Sequence, residues 1–343
     1  MNLYDFTRPQ LTELLAPWGG RTVHAARLWR YLYRDGAQSF EAMPELPARL
    51  RNRLASEATI GSLAQASEIQ SDDGLTHKFL LALEDGQQIE TVLMRMRGRA
   101  TACLSSQAGC ALGCVFCATG QMGFGRNLST GEIVAQALYV HRLLPDKLRN
   151  VVLMGMGEPL QNYDAVMRAV EILCDSGSLS IGGKQMTLST VGVIPGIVRL
   201  ADEARACSLA VSLHSATQDE RAALVPAARA WPLDALMKAC RYYTARLNRR
   251  IFFEWTLIEG RNDSPEQARA LVRLVRDIPA QINLIPLNPT LGYAGKPGRS
   301  AALDRFRSIL QDAGLPVSIR QRRGIEIAAG CGQLAVVESG ASG

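Results

Sequence analysis

Apolar and polar positions change their spacing twice along this chain, and the changes divide it into parts. Over residues 1–65 the spacing is helical: Leu11, Leu14 and Leu15, then Leu28 and Leu32, recur along one face, interrupted by Pro17 and Gly19-Gly20. A further helical run over 46–54 carries Arg49, Arg51 and Arg53. Residues 66–98 switch to short alternating runs, Lys78-Phe79-Leu80-Leu81 and 88–94, with Asp85-Gly86 between them as a hairpin turn. Over 99–335 apolar runs alternate with helical stripes. The runs predict strands at 100–106, 150–154, 185–190, 208–213, 250–257 and 281–287. Ser129 with Glu132 forms a capping box that opens one intervening helix, and Tyr163, Val166, Met167 and Val170 form the stripe of the next. Ser264, Pro265 and Gln267 start another; Leu303, Phe306 and Leu310 line the last, which stops at Gly314 and Pro316. Strands alternating with single helices predict an α/β fold with a parallel sheet. Six such units favour a partial (β/α)6 barrel behind a small helical N-terminal domain and a short β extension; a doubly wound open sheet is the alternative. Residues 336–343 are expected to be a flexible tail.

Composition narrows the class. The 343 residues are 47% hydrophobic and 20% charged, enough apolar content for a large buried core and no sign of disorder. Net charge is +6 and the pI is near 9.0, which permits a polyanionic partner such as RNA without establishing one. Of the 38 basic residues only Lys78, Lys147, Lys184, Lys238 and Lys296 are lysines. Arg suits bidentate phosphate contacts, although a GC-rich genome gives the same bias. In the N-terminal part, Trp29, Tyr31 and Tyr33 interleave with Arg. That pattern fits either an RNA-docking surface or a solvated helical cap whose aromatics are core. No apolar leader and no run of about 18 apolar residues is present, so neither secretion nor a membrane is expected. The cysteines are not spaced as a disulfide framework, which points to a reducing cytosol.

Cys110, Cys114 and Cys117 carry the sharpest chemical signal. Their C-x3-C-x2-C spacing lets three thiolates converge on one metal centre, and no fourth Cys or His lies in the loop. Two readings remain open from these residues: a zinc knuckle borrowing a distant ligand, or an iron–sulfur cluster with one iron left free. The spacing, with Phe116 before the last Cys, resembles the signature of radical S-adenosylmethionine (SAM) enzymes.

In a parallel barrel, ligands bind at the carboxyl ends of the strands. The first predicted strand runs into the cysteine loop. The second ends in Gly155-Met156-Gly157-Glu158-Pro159, where glycines let backbone approach a ligand and Glu158 can pair with an ammonium group. Ser189-Thr190, Ser212-Leu213-His214 and Asn288-Pro289 end later strands and offer hydrogen-bonding groups suited to an adenosine, a ribose and an amino acid.

Together with the stretch from Cys103 to Cys110, Asn262-Asp263-Ser264 and the run from Ile285 to Pro289, these motifs resemble the radical-SAM RNA adenine methyltransferases, the RlmN/Cfr family. The resemblance extends from the helical N-terminal part to Leu334. It implies a 4Fe-4S cluster on Cys110, Cys114 and Cys117, and SAM contacts from Gly157, Glu158, Ser189, Ser212, Leu213, His214 and Asn288. It implies two SAM per turnover. One methylates Cys331, in Gly330-Cys331-Gly332-Gln333-Leu334. The other is cleaved to a radical that activates that methyl group for addition to adenine. Cys103 then releases the product as a disulfide with Cys331, and Glu90 stands where the family places the proton-accepting base. Read without the resemblance, Glu90 is a charged residue on an exposed hairpin strand.

The expected activity is methylation of adenosine carbon 2 in 23S rRNA, and in tRNA next to the anticodon, by a cytoplasmic monomer supplied with electrons by a flavodoxin or ferredoxin. Carbon-8 methylation, a radical-SAM enzyme acting on a small molecule, and a non-catalytic zinc-containing RNA-binding protein are the rivals. Gly330, Glu326, Val191 and Ser215 depart from the family pattern without removing an expected ligand or thiol. Cys174, Cys207 and Cys240 are expected to be core residues.

Overall fold

A computed structural model describes residues 1–61, 63–96 and 98–336; the predicted tail lies almost wholly outside them. The strands are β1 (Ala64–Gln70), β2 (Thr76–Ala82), β3 (Gln88–Met96), β4 (Arg99–Cys103), β5 (Gln107–Gly109), β6 (Phe124–Asn127), β7 (Asn150–Leu153), β8 (Met186–Thr190), β9 (Ser208–Ser212), β10 (Ile251–Leu257), β11 (Ala280–Pro286) and β12 (Val317–Ile319). The main helices are α1 (Arg8–Leu15), α2 (Thr22–Tyr33), α3 (Ala48–Glu57), α4 (Ala118–Gln121), α5 (Thr130–Arg142), α6 (Tyr163–Cys174), α7 (Ile194–Asp202), α8 (Gln218–Leu224), α9 (Leu233–Leu247), α10 (Pro265–Val275) and α11 (Ser300–Asp312).

Ten strands form one sheet in the order β1-β2-β3-β4-β7-β8-β9-β10-β11-β12. Strand order never reverses, whereas a doubly wound sheet reverses at a switch point. The barrel reading therefore stands. From β4 through β12 every pairing is parallel, while β1 to β3 join antiparallel and β3 pairs with β4. The β extension is thus the edge of the barrel sheet and not a separate linker. Beyond the six predicted strands a short seventh, β12, adds to β11.

Burial follows the pleat. In β10, Phe253, Trp255 and Leu257 are buried in the core, where Trp255 packs 5.5 Å from Phe306 of α11; Glu254 and Thr256 on the other face line a cavity. The predicted caps form: Ser129 N–H donates to Glu132 at 2.8 Å and Glu132 N–H to Ser129 Oγ at 3.1 Å. Gln267 N–H donates to Ser264 Oγ at 3.3 Å.

The N-terminal helices pack on α5. Asp5 accepts from Gly131 N–H at 2.6 Å, and Arg142 donates to the Tyr4 hydroxyl at 3.2 Å. Trp29, Tyr31 and Tyr33 are buried, so these aromatics serve the core and are closed to bases. Arg49 and Arg53 face solvent from α3, with Arg53 over the Trp18 ring. No helix among the described residues is long and apolar enough to cross a membrane.

Candidate active site

The chain leaves β4 and forms the β5–β6 hairpin, which brackets the cysteine loop. Gly109 makes the closure possible: its φ is +80°, and a Cβ there would lie 2.1 Å from the Gly123 carbonyl oxygen. Cys110 N–H donates to that same carbonyl at 2.7 Å, and Cys117 N–H to the Cys114 carbonyl at 3.1 Å. Cys114 is buried; Cys110 and Cys117 are half-buried. Burial pushes the free Cys110 thiol up to about 11 and the Cys114 thiol higher still, so metal uptake must displace protons. Among the described residues no three His, Cys, Asp or Glu side chains converge as they would on a single ion. A four-iron cluster makes a different demand, since its thiolates each bind their own iron.

Cys114 and Cys117 line an open-mouthed cavity of about 150 Å³. Gly157 and Glu158 after β7, Ser189 of β8, Ser212 and His214 around the end of β9, and Asn288 after β11 line it too. Leu213 does not. Its side chain is fully buried in the core, because the period-2 pleat that aims Ser212 and His214 inward turns Leu213 away; only its backbone sits at the strand end.

Each lining group has a local cause. Gly157 adopts φ +98°, and a Cβ there would meet the Gln107 side chain at 2.5 Å; Gln107 Oε1 in turn accepts from Glu158 N–H at 2.8 Å. The buried Glu158 carboxylate accepts from Val191 N–H at 2.9 Å and Leu160 N–H at 3.1 Å. Desolvation outweighs these bonds and raises its pKa to about 7. His214 holds φ +59° and accepts from Thr256 N–H at 3.0 Å through Nδ1, which assigns the proton to Nε2. Burial depresses its pKa to about 3, so it stays neutral. Asn262, unforeseen as a structural residue, fixes this corner by donating to the carbonyls of His214 at 2.8 Å and Thr256 at 2.7 Å.

The cavity fits the SAM and cluster that its cysteines suggest. Among the described residues Asn288 Oδ1 is buried without a partner at the cavity wall. The free donors and acceptors around it match an amino acid and a nucleoside.

Cys331 lines this cavity and also a second one, which it shares with Cys103, Met94 and Arg320. Its segment is sewn to the cysteine loop: Ala118 N–H donates to the Gly332 carbonyl at 2.8 Å, Asn288 Nδ2 to the Cys331 carbonyl at 3.1 Å, and Thr119 to the Leu334 carbonyl at 2.6 Å. Cys331 is solvent-accessible, whereas Cys103 is buried on β4 with its thiol pushed up to about 12. Arg320 reaches the pair from beyond β12 and is ion-paired to buried Glu254 at 3.1 Å. Neither Arg320 nor Glu254 was singled out from sequence, although a charge inside the apolar run Ile251–Leu257 was a visible signal.

Glu90 lines neither cavity. It is 4% exposed, not on an open hairpin face; its carboxylate pairs with Lys78 at 2.9 Å and accepts from Ala335 N–H at 2.9 Å. Burial raises its pKa against the pull of Lys78. Cys207 and Cys240 are buried and Cys174 half-buried, apart from the site.

Parallel strands ending around a three-cysteine loop and a cavity lined by polar strand ends fit a radical-SAM enzyme, and residues 104–272 match the model of the radical SAM superfamily. Residues 1–60 match the ribosomal RNA large subunit methyltransferase N-terminal domain. The chain is 58% identical to a probable dual-specificity RNA methyltransferase RlmN 2 of Opitutus terrae, covering 98% of this chain and 87% of the relative. It is also 58% identical to the dual-specificity RNA methyltransferase RlmN 1 of Myxococcus xanthus, over 97% and 94%. A crystal structure of a radical SAM methyltransferase from Sphaerobacter thermophilus superposes with a TM-score of 0.93 at 45% identity, over 97% of this chain and 99% of that one. The chain belongs to the RlmN family of radical-SAM RNA methyltransferases. It is a SAM-dependent enzyme, and membership implies a 4Fe-4S cluster and SAM as cofactors.

Proposed function

We propose that this enzyme methylates carbon 2 of an adenosine in 23S rRNA, and of tRNA next to the anticodon, through an S-methylated Cys331. The observation that carries the reading is the position of Cys331 in the wall of both cavities, one lined by Cys114 and Cys117 and the other by Cys103. When bound, cluster and SAM supply a methyl group and a hydrogen-abstracting radical, consuming two SAM per turnover.

The chain's own residues do the rest. Glu158 takes the ammonium group, Ser189, Ser212 and His214 offer polar contacts, and Asn288 fixes the Cys331 backbone while offering its free Oδ1 to the ligand. Arg320 places positive charge beside both thiols, which favours their thiolates. Cys103 then gives up its proton and attacks Cys331 sulfur, and a disulfide forms as the S–CH2 bond breaks. The methylene carbon keeps that bond's electron pair and takes a proton to become the methyl group; the adduct's remaining unpaired electron would return to the cluster when it is bound. A proton leaves the ring to Glu90 only after that carboxylate gives up Lys78. The remaining parts of the reading are a flavodoxin or ferredoxin as electron donor, a monomer, and a cytoplasmic location.

Intact-mass spectrometry after incubation with SAM, reductant and RNA tests the thiol roles. Cys103→Ala should trap a covalent RNA adduct and Cys331→Ala none; an adduct on Cys331→Ala overturns the assignment. With carbon-2-deuterated adenine, a methylated product that keeps its carbon-2 deuterium overturns the regiochemistry.

A further inference from the structure

Arg221 is fully buried, a costly place for a guanidinium that pairs with no carboxylate among the described residues. It lies on α8, one turn before Leu224, whose carbonyl accepts from Val115 N–H of the cysteine loop at 3.1 Å. Its Nη2 donates to the carbonyl of Val191, and at 3.4 Å to that of Ser212; both residues line the SAM cavity. Nε and Nη1 have no partner. Leu224 and Val225, one turn on from Arg221, pack in one cluster with Cys114. A buried cation on a helix turn packed against a cluster cysteine is unexplained by packing alone. It is explained by an anion that arrives with the cluster, since three thiolates bring negative charge into a buried loop and reduction adds one more.

We infer that Arg221 is a charge-compensating and positioning residue of the iron–sulfur site, holding the two strand ends by their carbonyls while its charge eases reduction of the cluster. Cluster potentials respond to net charge and to hydrogen bonds near the sulfurs. A fixed positive charge in low-dielectric surroundings stabilises the more negative, reduced state. The inference rests on the cluster reading above.

The test is an EPR-monitored redox titration of anaerobically reconstituted full-length protein, without substrate, for wild type, Arg221→Met and Arg221→Lys. Wild type should hold about four irons and give a reduced-cluster signal; a colourless, zinc-loaded wild type overturns the cluster reading itself. With that reading intact, Arg221→Met should lower the reduced-to-oxidised ratio at fixed potential by tenfold or more, about 59 mV for a one-electron couple. Arg221→Lys, which keeps the charge, should restore most of it. An Arg221→Met midpoint equal to wild type, or equal shifts in Met and Lys, overturns the inference. Should Arg221→Met fail to fold, Arg221→Gln keeps a donor for the Val191 carbonyl and carries the same comparison.

Discussion

Replacing Glu158 with Gln separates the carboxylate's charge from its place in the fold. Burial lifts this carboxyl from an ordinary 4.5 to about 7, despite the two backbone N–H groups it accepts from. At about 1.4 kcal/mol per pH unit, that displacement is worth roughly 3 kcal/mol. The sign follows from linkage. The folded, ligand-free protein holds this proton more tightly than the unfolded chain, so Glu158 costs no stability below pH 4.5 and progressively more as pH rises to 7, then levels off. A ligand ammonium reverses the preference, because only the carboxylate attracts it. SAM affinity should therefore rise with pH, following an ionised fraction that goes from about one-tenth at pH 6 to nine-tenths at pH 8, close to a tenfold gain. The ligand's own α-amino group, titrating near 7.7–8.0, works against this at the upper end. Glu158→Gln keeps the ligand's titration and loses the carboxyl's, so the difference between the two profiles isolates Glu158. Equilibrium dialysis of labelled SAM against reconstituted protein from pH 6 to 8, at constant ionic strength, reads both. A wild-type affinity flat between pH 6 and 7.5, or the same slope in Glu158→Gln, refutes the reasoning.

Two further substitutions probe the frame of the cavity. Gly157→Ala should lower stability by about 2 kcal/mol in thermal unfolding, since φ is +98° and the new Cβ meets Gln107 at 2.5 Å; SAM binding should weaken with it, because Gln107 holds Glu158 N–H. Asn262→Ala should cost about 3 kcal/mol or more in urea unfolding, because it strands the carbonyls of His214 and Thr256 and the N–H of Ile258, all buried. A loss under 1 kcal/mol would show that water replaces those bonds.

Much of the barrel was legible because its strands are short, mostly apolar runs set between helical stripes. Each predicted run agrees with an observed strand to within a few residues: 208–213, for instance, became Ser208–Ser212. Elements without such a signature escaped. β1 is exposed along its whole length, so no alternation marks it, and the three half-buried residues of β12 are too few for a period. The β5–β6 hairpin pairs Gln107 with Asn127 across the entire cysteine loop, a closure that no local pattern encodes. At the site, the strand-end rule found Ser189, Ser212, His214 and Asn288 but took in Leu213, which alternation within the same strand would have excluded. Arg221 was hidden for the opposite reason. In Gln218–Leu224 it reads as one more charge on a solvated helix, and only the fold reveals that it points inward to the carbonyls of Val191 and Ser212.

The two reactive thiols also differ in a way that orders their roles. A methyl acceptor must be both reachable and nucleophilic, and thiol reactivity follows the thiolate. Cys331 is solvent-accessible, in a turn where the two cavities meet. Cys103 lies buried in the middle of the sheet, paired through β4 to both β3 and β7, with its thiol raised to about 12. The surrounding protein raises the pKa of the Cys331 thiol as well, so exposure, not acidity, separates the two. The same burial suits a resolving thiol, which must stay protonated and unmodified until a leaving group is in place next to it. Arg320, whose positive charge lowers the proton affinity of both sulfurs, would in that scheme help Cys103 release its proton. Under the proposed function, Cys331 as carrier and Cys103 as resolver is the assignment that their exposure favours.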